Sequence, residues 1–288
     1  MDTERIGDFF RSNYLYLIGS FLYFLLAVAM LGGTWQAFWI CLLLYAASMG
    51  LAVSPLGESL MRILNHIRPV ETRQEREYLF PLFEDVYQTA KENFSGLGYI
   101  DLYIQDTMAV NACAVDSHTI AVTKGAIETF SEDELKGILF HEIAHIYYGH
   151  TTMSILAIIG NGFFSIFVLI ARILMVFLDA LSRSSESGTG HFIVSLCRLI
   201  LDMTVFVFTL LFNIIFAINS RDGEYLADKF AHANGYGQEL VDALYILQRM
   251  SLGDNANLIA RMTASHPRIS KRIMNLENYL GMERERQP

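Results

Sequence analysis

The stretch SEDELKGILFHEIAHIYYGH, residues 131–150, decides the reading of this chain. Ser131 and Glu134 have the S-x-x-E spacing of a capping box, in which two orphan backbone N–H groups are satisfied reciprocally at the start of a helix. Inside that helix His141-Glu142-Ile143-Ala144-His145 fits H-E-x-x-H. Positions i and i+4 share one helix face, so both imidazoles can reach one Zn²⁺. Glu142 projects beside them, where it can take a proton from water polarised by the metal. The competing reading is a helix with two incidental histidines. A catalytic zinc site also needs a third protein ligand and an open fourth position. The pattern H-E-x-x-H-x-x-G-x-x-H does not supply it, because Gly149 and His150 each miss the required position by one residue. His150 therefore reads as a surface or interfacial histidine.

Outward from this helix the chain alternates between polar and strongly apolar segments. It has 288 residues, 53% of them hydrophobic, and a mean hydropathy of +0.34. The apolar excess is gathered in long runs, as in a membrane protein with modest soluble parts. Residues 14–31 and 35–53 carry no charge, and only Gly32, Gly33 and Thr34 separate them. They read as a hairpin of two spans, with Trp35 and Trp39 suited to an interfacial position. Residues 153–178 contain only Arg172 as a charge, and residues 192–218 contain Arg198 and Asp202. They read as a second span pair. Seven Lys/Arg lie in 54–152 and nine in 219–288, against none and one in the two loops on the other side. The positive-inside rule then places both polar sections and both termini in the cytoplasm. A net charge of −9 argues against nucleic acid as a partner. Cys41, Cys113 and Cys197 form no C-x-x-C, so neither a disulfide framework nor a thiolate zinc site is expected.

Within the polar sections, Leu79, Phe80, Phe83, Val86, Tyr87, Ala90 and Phe94 are spaced for an amphipathic helix, with Pro81 as a kink or restart. Tyr99–Gln105 and Met108–Thr123 read as two or three short strands. The third ligand is sought in Ser220-Arg221-Asp222-Gly223-Glu224-Tyr225-Leu226-Ala227-Asp228. Glu224 and Asp228 are an i, i+4 pair. Glu224 can bind zinc while Asp228 holds a ligand histidine by a hydrogen bond. The bland alternative is a solvated acidic face. Membrane geometry separates the two readings. His145 would stand ~12 Å above the start of the third span if the helix is continuous, and Glu224 ~9 Å beyond the end of the fourth. An antiparallel span pair would bring both out of one membrane face at similar heights.

These residues resemble the HtpX-like membrane zinc metallopeptidases, relatives of the CAAX prenyl proteases. The resemblance covers the double span, the H-E-x-x-H helix, the second span pair and the S-R-x-x-E-x-x-A-D helix at Ser220, Arg221, Glu224, Ala227 and Asp228. It implies one Zn²⁺ per chain on His141, His145 and Glu224, Glu142 as general base, and Asp228 and Arg221 as supporting residues. Asn111-Ala112-Cys113-Ala114 is similar to the family's N-A-F-A substrate strand, with Cys113 in place of the aromatic. Ser265-His266-Pro267-Arg268, followed by Arg272 and Ile273, is similar to its H-P segment, and implies that His266 stabilises the oxyanion or gates the zinc.

The expected fold is thus a mainly α membrane protein. Four transmembrane helices carry a cytoplasmic α+β zincin-like catalytic domain with a small β-sheet. Its parts are a transmembrane hairpin (1–53), the first catalytic section (54–152), a second helix pair (153–218) and the second catalytic section (219–288). The expected activity is zinc-dependent endopeptidase cleavage of membrane proteins at the cytoplasmic face of a bacterial inner membrane, in quality control. CAAX-type prenyl-peptide cleavage is an alternative. An intramembrane metalloprotease fits less well, because Glu132, Asp133, Glu134 and Lys136 stand just before the motif. A transporter or scaffold would line a polar path with Arg172, Arg198 and Asp202.

Overall fold

A computed structural model describes residues 3–94, 96–183, 188–250 and 267–286, with backbone alone for 158–165 and for some residues beside the chain breaks. The chain divides into two compact units. One comprises residues 1–14, 53–154 and 217–288, the other residues 15–52 and 155–216.

The second unit is helical throughout. It is drawn from α1 (Thr3–Met30), α2 (Trp35–Ala52), α7 (His150–Arg183) and α8 (Gly188–Ala233). Aromatic residues knit α1 to α8: Tyr16 meets Phe216 edge-on, Tyr23 meets Phe212, and the Tyr23 hydroxyl donates to Thr209. Leu169, Ile173, Phe177, Ile200, Met203 and Phe206 point outward. That exposed apolar surface suits lipid rather than water. Three stretches have the length and hydropathy to cross a membrane: Phe9–Met30, Trp35–Ala52 and Phe192–Ala233. The fourth expected span, over 153–178, falls on α7, where several side chains lie outside the described residues. Three spans, not four, are therefore found among the described residues. The charges in the apolar runs satisfy each other. Arg172 donates to Asp202 at 2.9 Å, and Arg198 lies 3.9 Å from the same carboxylate.

The first unit carries a four-stranded mixed sheet of β1 (Ile67–Pro69), β2 (Asp101–Gln105), β3 (Ala112–Ala114) and β4 (Thr119–Thr123), in the order β1-β2-β4-β3. β2 and β4 are parallel, while β1 and β3 pair antiparallel at the two edges. Strand β1, three residues ending in proline, has no pattern by which the sequence announces it. Helices α3 (Pro55–Leu64), α4 (Arg73–Asn93), α5 (Lys124–Thr129), α6 (Glu132–Tyr147), α9 (Gly237–Met250) and α10 (Ile269–Arg286) complete the unit. Pro81 does not interrupt α4, which runs through it from a capping box at Thr72 and Glu75. Leu79, Phe83 and Val86 of α4, Leu135, Leu139 and Ile143 of α6, Ile104 and Ile120 of the sheet, and Leu240 and Leu244 of α9 form one core. Helix α6 lies inside it rather than on it, so the side chains it presents sit on a rigid element.

Helix α6 does not continue into the next helix. Gly149 adopts φ +71°, a left-handed conformation that favours glycine, and a Cβ there would lie 2.4 Å from the Phe9 ring. The Tyr148 carbonyl at this break accepts from Asn13 Nδ2 at 3.0 Å. The straight-helix estimate for the height of His145 therefore does not hold.

Helix α3 presents two unlike faces. Glu58 and Arg62 bind it to the β3–β4 turn, where Arg62 Nε donates to Asp116 at 2.9 Å and the Ser117 hydroxyl donates to Glu58 at 2.7 Å. Leu56, Leu60, Ile63 and Leu64 face outward. Glu58, Asp116 and His118 are close enough to share a cation. The Arg62 guanidinium already supplies the positive charge there, so the cluster reads as a structural tie.

Candidate metal centre

The site is built from α6 outward. Ser131 and Glu134 form the expected capping box, with Glu134 accepting from the Ser131 N–H at 2.8 Å and Ser131 from the Glu134 N–H at 3.3 Å. One turn face of the helix carries His141 and His145, whose Nε2 atoms approach to 3.2 Å. Helix α8 brings Glu224 to them. Its Oε2 is 3.5 Å from His141 Nε2 and its Oε1 is 3.5 Å from His145 Nε2. Four residues on, Asp228 Oδ1 lies 3.0 Å from His141 Nδ1. A tetrahedral ion with metal–donor distances near 2.05 Å spaces its ligands roughly 3.3 Å apart. The imidazole pair lies close to that value, as does the distance from each imidazole to one of the two Glu224 oxygens. Two imidazoles and a carboxylate are also a donor set that zinc accepts.

The charge balance points the same way. Glu142, Glu224 and Asp228 are all buried, and the cation packed among them is Arg272 of α10. Its Nη1 lies 2.7 Å from Glu224 Oε2, and its Nε and Nη2 donate to Asp228 at 2.9 and 2.6 Å. Burial opposes the Arg272 charge, but Asp228 and Glu224 outweigh it and push the pKa above its ordinary value. Among the described residues, these contacts set three carboxylates around the Arg272 guanidinium, an excess of negative charge. Burial and Arg272 disfavour protonation of His141, yet hydrogen bonds that its ring donates to Asp228 and Glu224 raise its pKa to about 9. The cluster thus draws positive charge to the place where the three donors converge, and a divalent cation would satisfy the same demand.

Glu142 is held by the sheet. Its Oε2 accepts from the Ala114 N–H at 2.8 Å, across the edge of β3 that faces away from β4. A cavity of about 300 Å³ opens beside it. Asn111 and Ala112 form one wall, Phe130, Ile138, Leu244 and Leu247 an apolar one, and His141, Glu142, Glu224 and Arg272 the polar one. Burial, with the Glu142 charge adding to it, pushes the Cys113 thiol up to about 12. It remains a thiol, not a thiolate ligand.

The structure therefore brings together His141, Glu142, His145, Glu224, Asp228 and the 111–114 strand. Arg221 is half-buried on α8, and a second guanidinium, that of Arg272, touches Glu224 and Asp228. Its signal in the sequence is a charge on the same helix face as Ile269, Ile273 and Leu276. His266 lies outside the described residues, but the following Pro267 lines the cavity. His150 departs from expectation. It is buried, with Nδ1 3.0 Å from His145 Nδ1, because the turn at Gly149 folds it back toward the ligands. Burial, reinforced by His145, lowers its pKa to about 3, so the ring is neutral.

The chain is 30% identical over 215 residues to a protease HtpX homolog of Bordetella pertussis, covering 68% of this chain and 70% of the relative. It is 32% identical over 217 residues to the Bordetella petrii homolog, covering 68% and 70%. Protease HtpX of Shewanella baltica is 30% identical over 214 residues, covering 68% and 72%. Among solved structures, S. mikatae Ste24p has the same fold with a TM-score of 0.57 at 20% identity. The match takes in 94% of this chain and 66% of that one. The profile of peptidase family M48 matches residues 74–280, which include every described residue of the cluster. With its three candidate spans and these relatives, the protein is a membrane protein and belongs to peptidase family M48, a family of metallopeptidases.

Proposed function

We propose that this protein is a zinc-dependent endopeptidase that cuts extended segments of membrane or membrane-associated proteins at the cytoplasmic face. Membrane-protein quality control is the role we assign to it, on the resemblance of its motifs to the HtpX-like peptidases. One observation carries the reading. Two imidazoles and a carboxylate able to share one metal ion converge beside a second carboxylate, at a cavity partly walled by Asn111 and Ala112 at the outer edge of β3.

In this reading His141, His145 and Glu224 hold the ion. Bound zinc supplies Lewis acidity toward the scissile carbonyl and makes water a nucleophile near neutral pH. The substrate strand adds alongside 111–114, its main chain pairing with the open edge of β3. Glu142 takes the proton from the attacking water and delivers it to the leaving amine. Asp228 accepts the Nδ1 proton of His141 and so fixes Nε2 as the free donor atom. His266, assigned on its motif alone, steadies the developing oxyanion. Helices α1, α2, α7 and α8 supply four spans. The exposed Leu56, Leu60, Ile63 and Leu64 of α3 begin within a few residues of Ala52 and rest on the bilayer surface, bringing the site to membrane-adjacent segments. The pairing of Arg172 and Arg198 with Asp202 leaves little for a transport path among the described residues.

Metal analysis and proteolysis tested together decide the matter. The purified protein should contain about one zinc per chain, lose cleavage of an unfolded test protein with a chelator, and regain it with stoichiometric zinc. Glu224→Ala should lose metal by more than the ~100-fold that loss of an outer hydrogen-bond partner costs. Full metal content in that variant would remove Glu224 from the ligand set.

A second expectation concerns the apolar wall. Leu247 is partly exposed and lines the cavity, so Leu247→Trp should fill it without disturbing the core. Cleavage beside bulky apolar residues should fall by roughly 10–200-fold in kcat/KM, while cleavage beside alanine falls less. An equal loss for both substrates would mean that this wall does not select the residue flanking the scissile bond.

A further inference from the structure

The two histidines on α6 have different partners behind them. His141 turns Nδ1 toward the Asp228 carboxylate, as the motif leads one to expect. His145 turns Nδ1 toward Nδ1 of His150, the first residue of α7, at 3.0 Å. His150 is only 7% exposed, and among the described residues its Nε2 has no hydrogen-bond partner. Its place is prepared by Gly223, one residue before Glu224. A Cβ at 223 would lie 3.1 to 3.3 Å from three atoms of the His150 ring. The glycine of Arg221-Asp222-Gly223-Glu224 thus lets the ring lie against the backbone of α8.

A lone pair on His145 Nε2 is available to a metal only when the proton of that ring is on Nδ1. The acceptor facing that proton is His150 Nδ1. His150 must then carry its own proton on Nε2, the atom left without a partner. A buried N–H without an acceptor is an unusual expense in a folded protein and calls for a compensating reason. That reason is the free lone pair on the opposite nitrogen. The choice of an imidazole over a second carboxylate also follows from charge. Glu142, Glu224 and Asp228 already surround Arg272. A further anion behind His145 would add to that excess, whereas a neutral ring orients the ligand and leaves the charge unchanged.

We propose that His150 is a positioning residue for the metal site. It accepts the Nδ1 proton of His145 and thereby fixes the tautomer and ring orientation that expose Nε2 to the metal. The inference rests on His145 being a ligand, and the test separates the two ideas. Affinity for zinc and for cobalt(II) is measured by chelator competition in the wild type, His145→Ala, His150→Leu and His150→Asn. His150→Leu keeps the bulk of the ring without an acceptor, and should bind metal about 10–100-fold more weakly with an altered cobalt absorption band. His150→Asn places its Oδ1 where Nδ1 was, and should restore both affinity and spectrum. If His145→Ala loses metal while His150→Leu keeps wild-type affinity, the proposal is overturned and the ligand reading stands. If His145→Ala binds as well as the wild type, the ligand reading falls and the proposal with it. Should His150→Leu fail to fold, the ¹⁵N spectrum of histidine-labelled, zinc-loaded wild type decides, with His150 assigned by its loss in His150→Asn. Protonated Nε2 and bare Nδ1 are expected at His150, and the reverse tautomer overturns the proposal.

Discussion

Glu142→Gln should abolish proteolysis, by about 10²–10⁴-fold or more, and leave the metal in place. The substitution is nearly isosteric, and the contacts of Glu142 explain why it should be clean. Glu142 is not placed as a ligand in the cluster of His141, His145 and Glu224. Its carboxylate accepts the Ala114 N–H, and a glutamine oxygen accepts that bond equally well. The sheet edge, the helix and the donor set are therefore preserved, while the group able to accept a proton from water is gone. Glu142→Ala is a poorer test, because it also releases the Ala114 N–H and so disturbs the strand proposed to hold substrate. The measurements are zinc content, thermal stability and cleavage of an unfolded protein in the same preparation. Zinc near one per chain, an unchanged melt and lost cleavage are expected. Retained cleavage would remove Glu142 from the chemistry and, with it, the proposed mechanism.

Some of this arrangement is legible in the sequence because it is local. The capping box at Ser131 and Glu134, the i, i+4 histidines and the i, i+4 pair Glu224 and Asp228 are each set by one turn of helix. The position of Glu224 relative to the histidines is not local, but flanking apolar segments and family resemblance both pointed to it. What escaped the sequence depends on contacts between distant segments. Gly149 sits within a stretch that reads as helix through His150. Nothing local says that Phe9 and Asn13 will pack against that break, or that the turn will return His150 to His145, five residues before it. Strand β1 exists because β2 offers an edge, not because Ile67-Arg68-Pro69 has a strong preference of its own. Arg221 and Arg272 are both arginines beside family motifs. Only the packing of α10 against the cluster shows that the Arg272 guanidinium meets Glu224 and Asp228.

That contact makes Arg272→Met the substitution with the largest expected effect on stability. Glu224 and Asp228 are 3% and 1% exposed, and Arg272 makes close contacts with both. A methionine fills much of the same volume but supplies neither charge nor donor. Removing one partner of a buried ion pair costs about 3–5 kcal/mol, because the remaining charge is stranded away from water. In the metal-free protein the melt should fall by roughly 10 °C. Arg272→Lys should not rescue it fully, since an ammonium cannot span two carboxylates as the planar fork does. The penalty should shrink when one stranded charge is also removed. Arg272→Met with Asp228→Asn should therefore be more stable than Arg272→Met alone, a coupling that independent sites would not show. Saturating zinc should narrow the gap as well, because a cation at the donor cluster replaces part of the lost positive charge, and ligand bound only to the folded state stabilises it. If Arg272→Met melts with the wild type, the guanidinium is not what offsets the buried carboxylates. A metal-free site could then hold three acids together only by keeping some of them protonated, and its stability would rise on acidification rather than depend on Arg272.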